Sequence, residues 1–233
     1  RLIRKLIIDP TDENIMYVAA SNGIYRTVDG AKTWKIVITG NYYDIEAKPQ
    51  PGSNILYAST GGEIFRSSNN GQIWVKMQSI PGSNRIELAV TLADPTVVYA
   101  ISSKSSTNGL NGVYKSTNSG SSFVLQSNSP NVLGYNSEGS EPGGQGWYDL
   151  ILAADPADAN TIYTGGVNCW KSTDGGLNWS LKSFWYQIPG VTNTHADKHS
   201  FAWRGNQLFE GNDGGLVFTA DGGDSWTNVS GNM

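Results

Sequence analysis

The sequence holds a single cysteine, only two histidines, and charged side chains at just 15% of its 233 residues. Each scarcity excludes something. Cys169 has no partner within the chain, so an internal disulfide framework is ruled out. No cluster of Lys and Arg occurs and the net charge is −4, which removes nucleic acid from the expected partners. Apolar runs extend only a few residues, far below the ~20 that a membrane-spanning helix requires. Nowhere do apolar residues recur at i, i+3, i+4 and i+7, so helices are not expected. The chain opens at Arg1 without an initiator methionine or a signal peptide, which leads us to expect a processed or trimmed piece of a longer polypeptide.

What the sequence does contain is glycine, 28 residues, and aromatics at 11%, arranged in a repeat. Five segments align: RTVDGAKTW, RSSNNGQIW, KSTNSGSSF, KSTDGGLNW and FTADGGDSW. They close on Trp34, Trp74, Phe123, Trp179 and Trp226, at intervals of 40, 49, 56 and 47 residues. Ahead of each box comes a strand running into an Asp-Pro-type turn, then a strand such as IMYVA, then one ending in an aromatic, a base and a hydroxyl. Four strands per unit, repeated around an axis, make a β-propeller. The expected fold is all-β, with five four-stranded antiparallel blades forming a single segment of either a five-bladed ring or a larger, six- to eight-bladed propeller. The blades fall near residues 1–40, 41–80, 81–128, 146–183 and 195–230, with a loop insertion at 128–146. Strands near 2–8, 41–47, 85–92, 147–153 and 199–204 should be innermost.

Within each box, S/T-x-D-x-G-x-x-W, the Asp or Asn side chain accepts backbone N–H bonds inside a hairpin, and the Gly takes its left-handed residue. Asn69 and Asn118 replace Asp freely, so these carboxylates read as turn builders rather than catalysts.

The five boxes resemble the Asp-box, or BNR, repeat of sialidases, sortilin-type receptors, xyloglucanases and secreted bacterial propellers. Ala31 in place of Gly and Phe123 in place of Trp depart from it. Residues 143–226 are similar to secreted propellers of Bacteroidota-type bacteria, which implies a secreted or cell-surface location. A sialidase would need three convergent arginines. Arg26 and Arg66 share the register of Lys115 and Lys171, leaving too few to supply the triad. In xyloglucanases of this class a strand resembling TD-x-GG-x-Y-R carries a catalytic Asp. GNDGGLVF puts Asp213 at the comparable place, where the other four units have no Asp.

In a repeat protein, what recurs is scaffold and what appears once needs its own explanation. Singular here are the 128–146 insertion, Trp147 with Tyr148 and Asp149, SFWYQIPG with Trp185, and THADKHSFAW. The last contains both histidines, His195 and His199, around Asp197. Strand alternation would set all three on one face, near Asp213 at the mouth of the channel. Three readings of that trio stay open: a polar structural knot, a divalent-metal site of His195, Asp197 and His199, or an acid/base pair of Asp197 and Asp213. No other cofactor is implied. His195, His199, Asp149, Trp147 and Trp185 are the candidate ligand-binding residues. The expected function is binding of a polysaccharide or protein ligand at one mouth. The alternative is a xyloglucanase-type glycoside hydrolase using Asp213 and a second carboxylate. Further blades or domains of the same parent are expected as neighbours.

Overall fold

The computed structural model describes residues 1–231, and no residue among them is helical. Five sheets follow one another along the chain, each a meander in sequence order. The first comprises β1 (Ile3–Asp9), β2 (Asp12–Ala20), β3 (Gly23–Thr27) and β4 (Lys35–Thr39). The second comprises β5 (Asp44–Ala47), β6 (Leu56–Ser59), β7 (Glu63–Ser67) and β8 (Val75–Ser79). The third holds β9 (Ser83–Val90), β10 (Val98–Lys104), β11 (Leu110–Ser116) and β12 (Val124–Ser127). The fourth runs from β13 (Ile151–Ala154) through β14 (Ile162–Gly165), β15 (Cys169–Ser172) and β16 (Ser180–Phe184) to β17 (Thr192–Asn193). The fifth holds β18 (Lys198–Arg204), β19 (Gln207–Asn212), β20 (Gly215–Thr219) and β21 (Thr227–Asn228). The leading strands β1, β5, β9, β13 and β18 pack side by side in that order, and all five supply residues to one central cavity. The fold is a five-bladed β-propeller.

Two details differ from the sequence expectation. The fourth sheet has a fifth strand, because the chain returns after β16 and β17 pairs with it in parallel. The hydroxyl of Thr194 donates to Ser183 Oγ at 2.7 Å and fastens that return. The innermost strand of the same blade starts at Ile151 rather than at residue 147. The N–H groups of Tyr148 and Asp149 both donate to Gln145 O, at 2.7 and 3.2 Å, so residues 145–149 form a turn that lifts Trp147, Tyr148 and Asp149 out of the sheet.

The repeated box explains the blade hairpins. Asp29 Oδ1 accepts from Thr27 Oγ1 at 2.8 Å and from Thr33 N at 2.9 Å; Asn69, Asn118, Asp174 and Asp221 make equivalent bonds. Hydrogen bonds from Thr33 are the main reason the Asp29 carboxyl drops to about 2. The second left-handed residue of each hairpin is Ala31, Gly71, Gly120, Gly176 or Gly223. Glycine is required where a neighbouring blade presses on it: a Cβ on Gly71 would lie 2.6 Å from the Tyr17 ring of the preceding blade.

The closing aromatics fill the seams between blades. Trp74 packs with Tyr17, Ala19 and Ile24 of the first blade, and Phe123 packs with Tyr57 and Ile64 of the second. Trp179 reaches Ser127 Oγ of the third at 3.1 Å, and Trp226 reaches Lys182 O of the fourth at 3.3 Å. Trp34 has no preceding blade in this chain. It is 37% exposed, on an open face with Leu6 and Ile8.

Candidate functional site at the channel mouth

The segment between β17 and β18 carries both histidines. Asp197 has φ 62°, in the left-handed region, and β18 begins only at Lys198. His195 and Asp197 therefore precede the strand, and the shared face expected from alternation does not exist. Each of the three side chains takes a different neighbour. His195 lies over Gly214, where an added Cβ would come within 2.6 Å of it, and its Nδ1 is 3.2 Å from Ala196 O. Asp197 accepts from Gln145 Nε2 at 3.1 Å. His199 Nε2 meets Asp213 Oδ1 at 2.8 Å. Among the described residues no three His, Cys, Asp or Glu side chains come together as a metal shell, so His195, Asp197 and His199 do not form the metal centre considered above.

Lys198, which sequence reasoning passed over, sets this segment in place. It is completely buried, and its Nζ donates to Val167 O at 2.9 Å and to His195 O at 2.6 Å, with Glu210 Oε1 4.0 Å away. Burial lowers the lysine's pKa and raises that of Glu210. Burial also pushes the nearby Cys169 thiol well up, which keeps it an unreactive core residue.

Asp197 and Asp149 form a second acidic feature. Asp149 is 1% exposed, and neither of its carboxylate oxygens has a donor among the described groups. Two ionised carboxylates offer each other only acceptors; a proton held on Asp149 turns the contact with Asp197 into a hydrogen bond. Burial first, and Asp197 second, raise the Asp149 carboxyl to about 8.

Aromatic side chains surround these groups. Trp147 packs on Tyr148 with ring centroids 5.5 Å apart, and Tyr148 meets the His199 ring edge-on at 4.9 Å. Trp147 is 59% exposed and Trp185 45%. Trp185 donates from Nε1 to Tyr135 O at 3.1 Å, which ties it to the 128–146 insertion. Burial raises the Tyr135 hydroxyl, and the Asp213 charge raises that of Tyr148. Of the candidate residues, Trp147 and His199 line one cavity with Tyr148, and the pairs around them differ from those expected. Asp213 pairs with His199, and Asp197 with Asp149.

Below Trp147, Tyr148 and His199 opens the central cavity, about 900 Å³ in volume. Its wall carries charges that sequence reasoning missed. Lys5 Nζ lies 2.7 Å from Asp44 and 2.5 Å from Glu46, and Arg85 pairs with Glu87 at 2.7 Å. Burial raises Glu46 to about 7 and Glu87 to about 8. The available signal was position: all six, with Arg4, sit on the leading strands of the first three units.

No family model matches the chain. A curated relative, a xyloglucanase of a Paenibacillus species, is 22% identical over 244 residues; the match covers 97% of this chain and 20% of the relative, so the chain spans a fifth of that protein's length. Among solved structures, an ancestral GH74 enzyme superposes with a TM-score of 0.72 at 18% identity, covering 99% of this chain and 31% of its own. The GH74 xyloglucanase from Xanthomonas campestris gives 0.58 at 14% identity, covering 99% and 44%. YCF48 bound to a D1 peptide gives 0.58 at 14%, covering 97% and 66%. At these identities the shared property is the fold: this chain is a β-propeller with GH74 xyloglucanases and YCF48 among its structural neighbours.

Proposed function

We propose that the chain is a glycan-binding propeller acting outside the cell, and that its ligand lies across the mouth on Trp147 and Tyr148. The observation that carries this reading is an exposed aromatic shelf beside a His199–Asp213 pair, at the rim of a cavity about 900 Å³ in volume. Sugar rings stack their C–H faces on such surfaces, while carboxylates and imidazoles take the hydroxyls. A xyloglucanase among the relatives favours a polysaccharide over a protein ligand. We take the five boxes for Asp-box repeats, a reading supported by their recurring side-chain bonds. We expect a further blade of the parent chain to cover the open face at Leu6, Ile8 and Trp34, since the corresponding seams are filled at Trp74 and Phe123.

One observation favours a second reading, hydrolysis. Asp149, held at about 8, would carry a proton at neutral pH, as a general acid must. In that reading Asp149 and Asp213 are the carboxyls to test, with Asp197 holding the proton on Asp149. Incubation with xyloglucan oligosaccharides separates the two readings. Binding without new reducing ends supports the first; reducing ends that appear with wild type and vanish with Asp149→Asn support the second.

A further inference from the structure

Three cations surround the axial cavity, and two of them are fully engaged. Lys5 is held between Asp44 and Glu46. Arg85 spends Nε and Nη2 on Glu87 at 2.9 and 2.7 Å, and Nη2 also on Leu150 O at 2.9 Å. Its Nη1 goes to Trp147 O and Tyr148 O at 3.3 and 2.8 Å. Arg4 differs. Only its Nη1 is engaged, by Asn41 Oδ1 at 2.7 Å and Tyr42 O at 2.8 Å, so Nε and Nη2 have no protein partner among the described residues. Its guanidinium stacks 3.8 Å from the Tyr43 ring centre, and Arg85 approaches that same ring at 5.9 Å. A chain of contacts therefore runs from Arg4 through Tyr43 and Arg85 to the backbone of the aromatic shelf, along one wall of one cavity.

We infer that this site takes a sugar bearing a carboxylate, with the sugar ring near the Trp147–Tyr148 shelf and the acidic group on the free edge of Arg4. The inference rests on the glycan reading above and narrows its ligand class. A guanidinium edge with two parallel N–H donors matches a carboxylate bidentately, which a lysine or a hydroxyl does not. Stacking on Tyr43 holds that edge in place before the ligand arrives, so little side-chain freedom is lost on binding. Lys5 and Arg85 add positive charge, Asp44 is satisfied by Lys5 and by the N–H groups of Ile45 and Leu88, and Glu46 and Glu87, both raised by burial, are taken up by Lys5 and Arg85. As pH rises those two glutamates ionise, the wall turns more negative, and a bound carboxylate is repelled. His199 of the mouth pair lines the same cavity.

The test compares methyl β-D-glucuronide with methyl β-D-glucoside, which differ only at C6, by NMR-detected titration of the whole chain, with cellotetraose run alongside as a neutral probe. The glucuronide should bind about tenfold tighter near pH 6. That preference should shrink toward pH 9 and between low salt and about 0.3 M salt. Arg4→Gln should remove it, so that the variant binds the glucuronide and the glucoside with equal affinity. Equal affinities in wild type, a preference indifferent to salt, or a preference that survives in Arg4→Gln would each overturn the inference. If Arg4→Gln fails to fold, the wild-type salt and pH series still decide. Cellotetraose binding without any glucuronide preference sinks the acidic-sugar inference alone; no binding of any of the three probes sinks the glycan reading with it.

Discussion

His199 Nε2 lies 2.8 Å from Asp213 Oδ1, with both side chains more than a third exposed, at 37% and 40%. A hydrogen-bonded pair this open contributes little to stability, about 0–1 kcal/mol. Its exposure beside the aromatic shelf suits recognition better than folding. Asp213→Ala should therefore leave the melting temperature within about 2–4 °C of wild type while weakening binding of a xyloglucan oligosaccharide. A large drop in melting temperature with intact binding would assign the pair to the scaffold.

Asp149 gives a pH signature. Its carboxyl sits at about 8 in the folded protein, above its ordinary value of 3.8. The folded state thus keeps a proton that the unfolded state releases, and stability falls as pH rises from about 4 to about 8. Glu46 and Glu87 are also raised and contribute the same sign, so the test is a difference. Asp149→Asn should flatten the decline of unfolding free energy measured by urea denaturation across that window. Parallel wild-type and variant curves would show that Asp149 is ionised in the folded state.

Lys198 is the buried anchor of the loop at the mouth. Lys198→Met leaves Val167 O and His195 O without their donor and Glu210 without its neighbouring cation, and should cost about 3–5 kcal/mol. Adding Glu210→Gln should recover part of that loss, because the remaining buried group is no longer a charge. Single and double variants that unfold alike would dismiss the coupling.

Gly71 and Ala31 occupy the same position of the repeated hairpin, both with positive φ, at 70° and 67°. A Cβ at Gly71 would strike the Tyr17 ring. Gly71→Ala should therefore destabilise by about 2–3 kcal/mol. At position 31, where this chain supplies no preceding blade, the alanine is accommodated. Ala31→Gly should change stability by about 1 kcal/mol or less, a contrast that chemical denaturation resolves.

Much of this architecture was legible because the scaffold repeats. The boxes ending at Trp74, Phe123, Trp179 and Trp226 follow local turn chemistry, and local chemistry can be read without knowing the fold. The mouth was legible only in outline. Its residues stood out as breaks in the repeat, but their pairing depends on two local events that strand alternation does not contain. One is the left-handed turn at Asp197 and the other is the turn at residues 145–149. Together they separate His195 from His199 and bring Asp149 against Asp197. The axial charges Arg4, Lys5 and Arg85 were passed over for a different reason. Each looks like an ordinary surface base until the leading strands of the blades are set side by side around one cavity.

The central claim is that the aromatic shelf at one mouth holds a glycan. Calorimetric titration of a xyloglucan oligosaccharide into wild type, Trp147→Ala and, as a control, Trp34→Ala on the open face of the first blade tests it most directly. The account predicts that Trp147→Ala weakens binding by about tenfold or more, with its melting temperature unchanged, and that Trp34→Ala binds as wild type does. Equal affinity for wild type and Trp147→Ala, or a loss confined to Trp34→Ala, would contradict it.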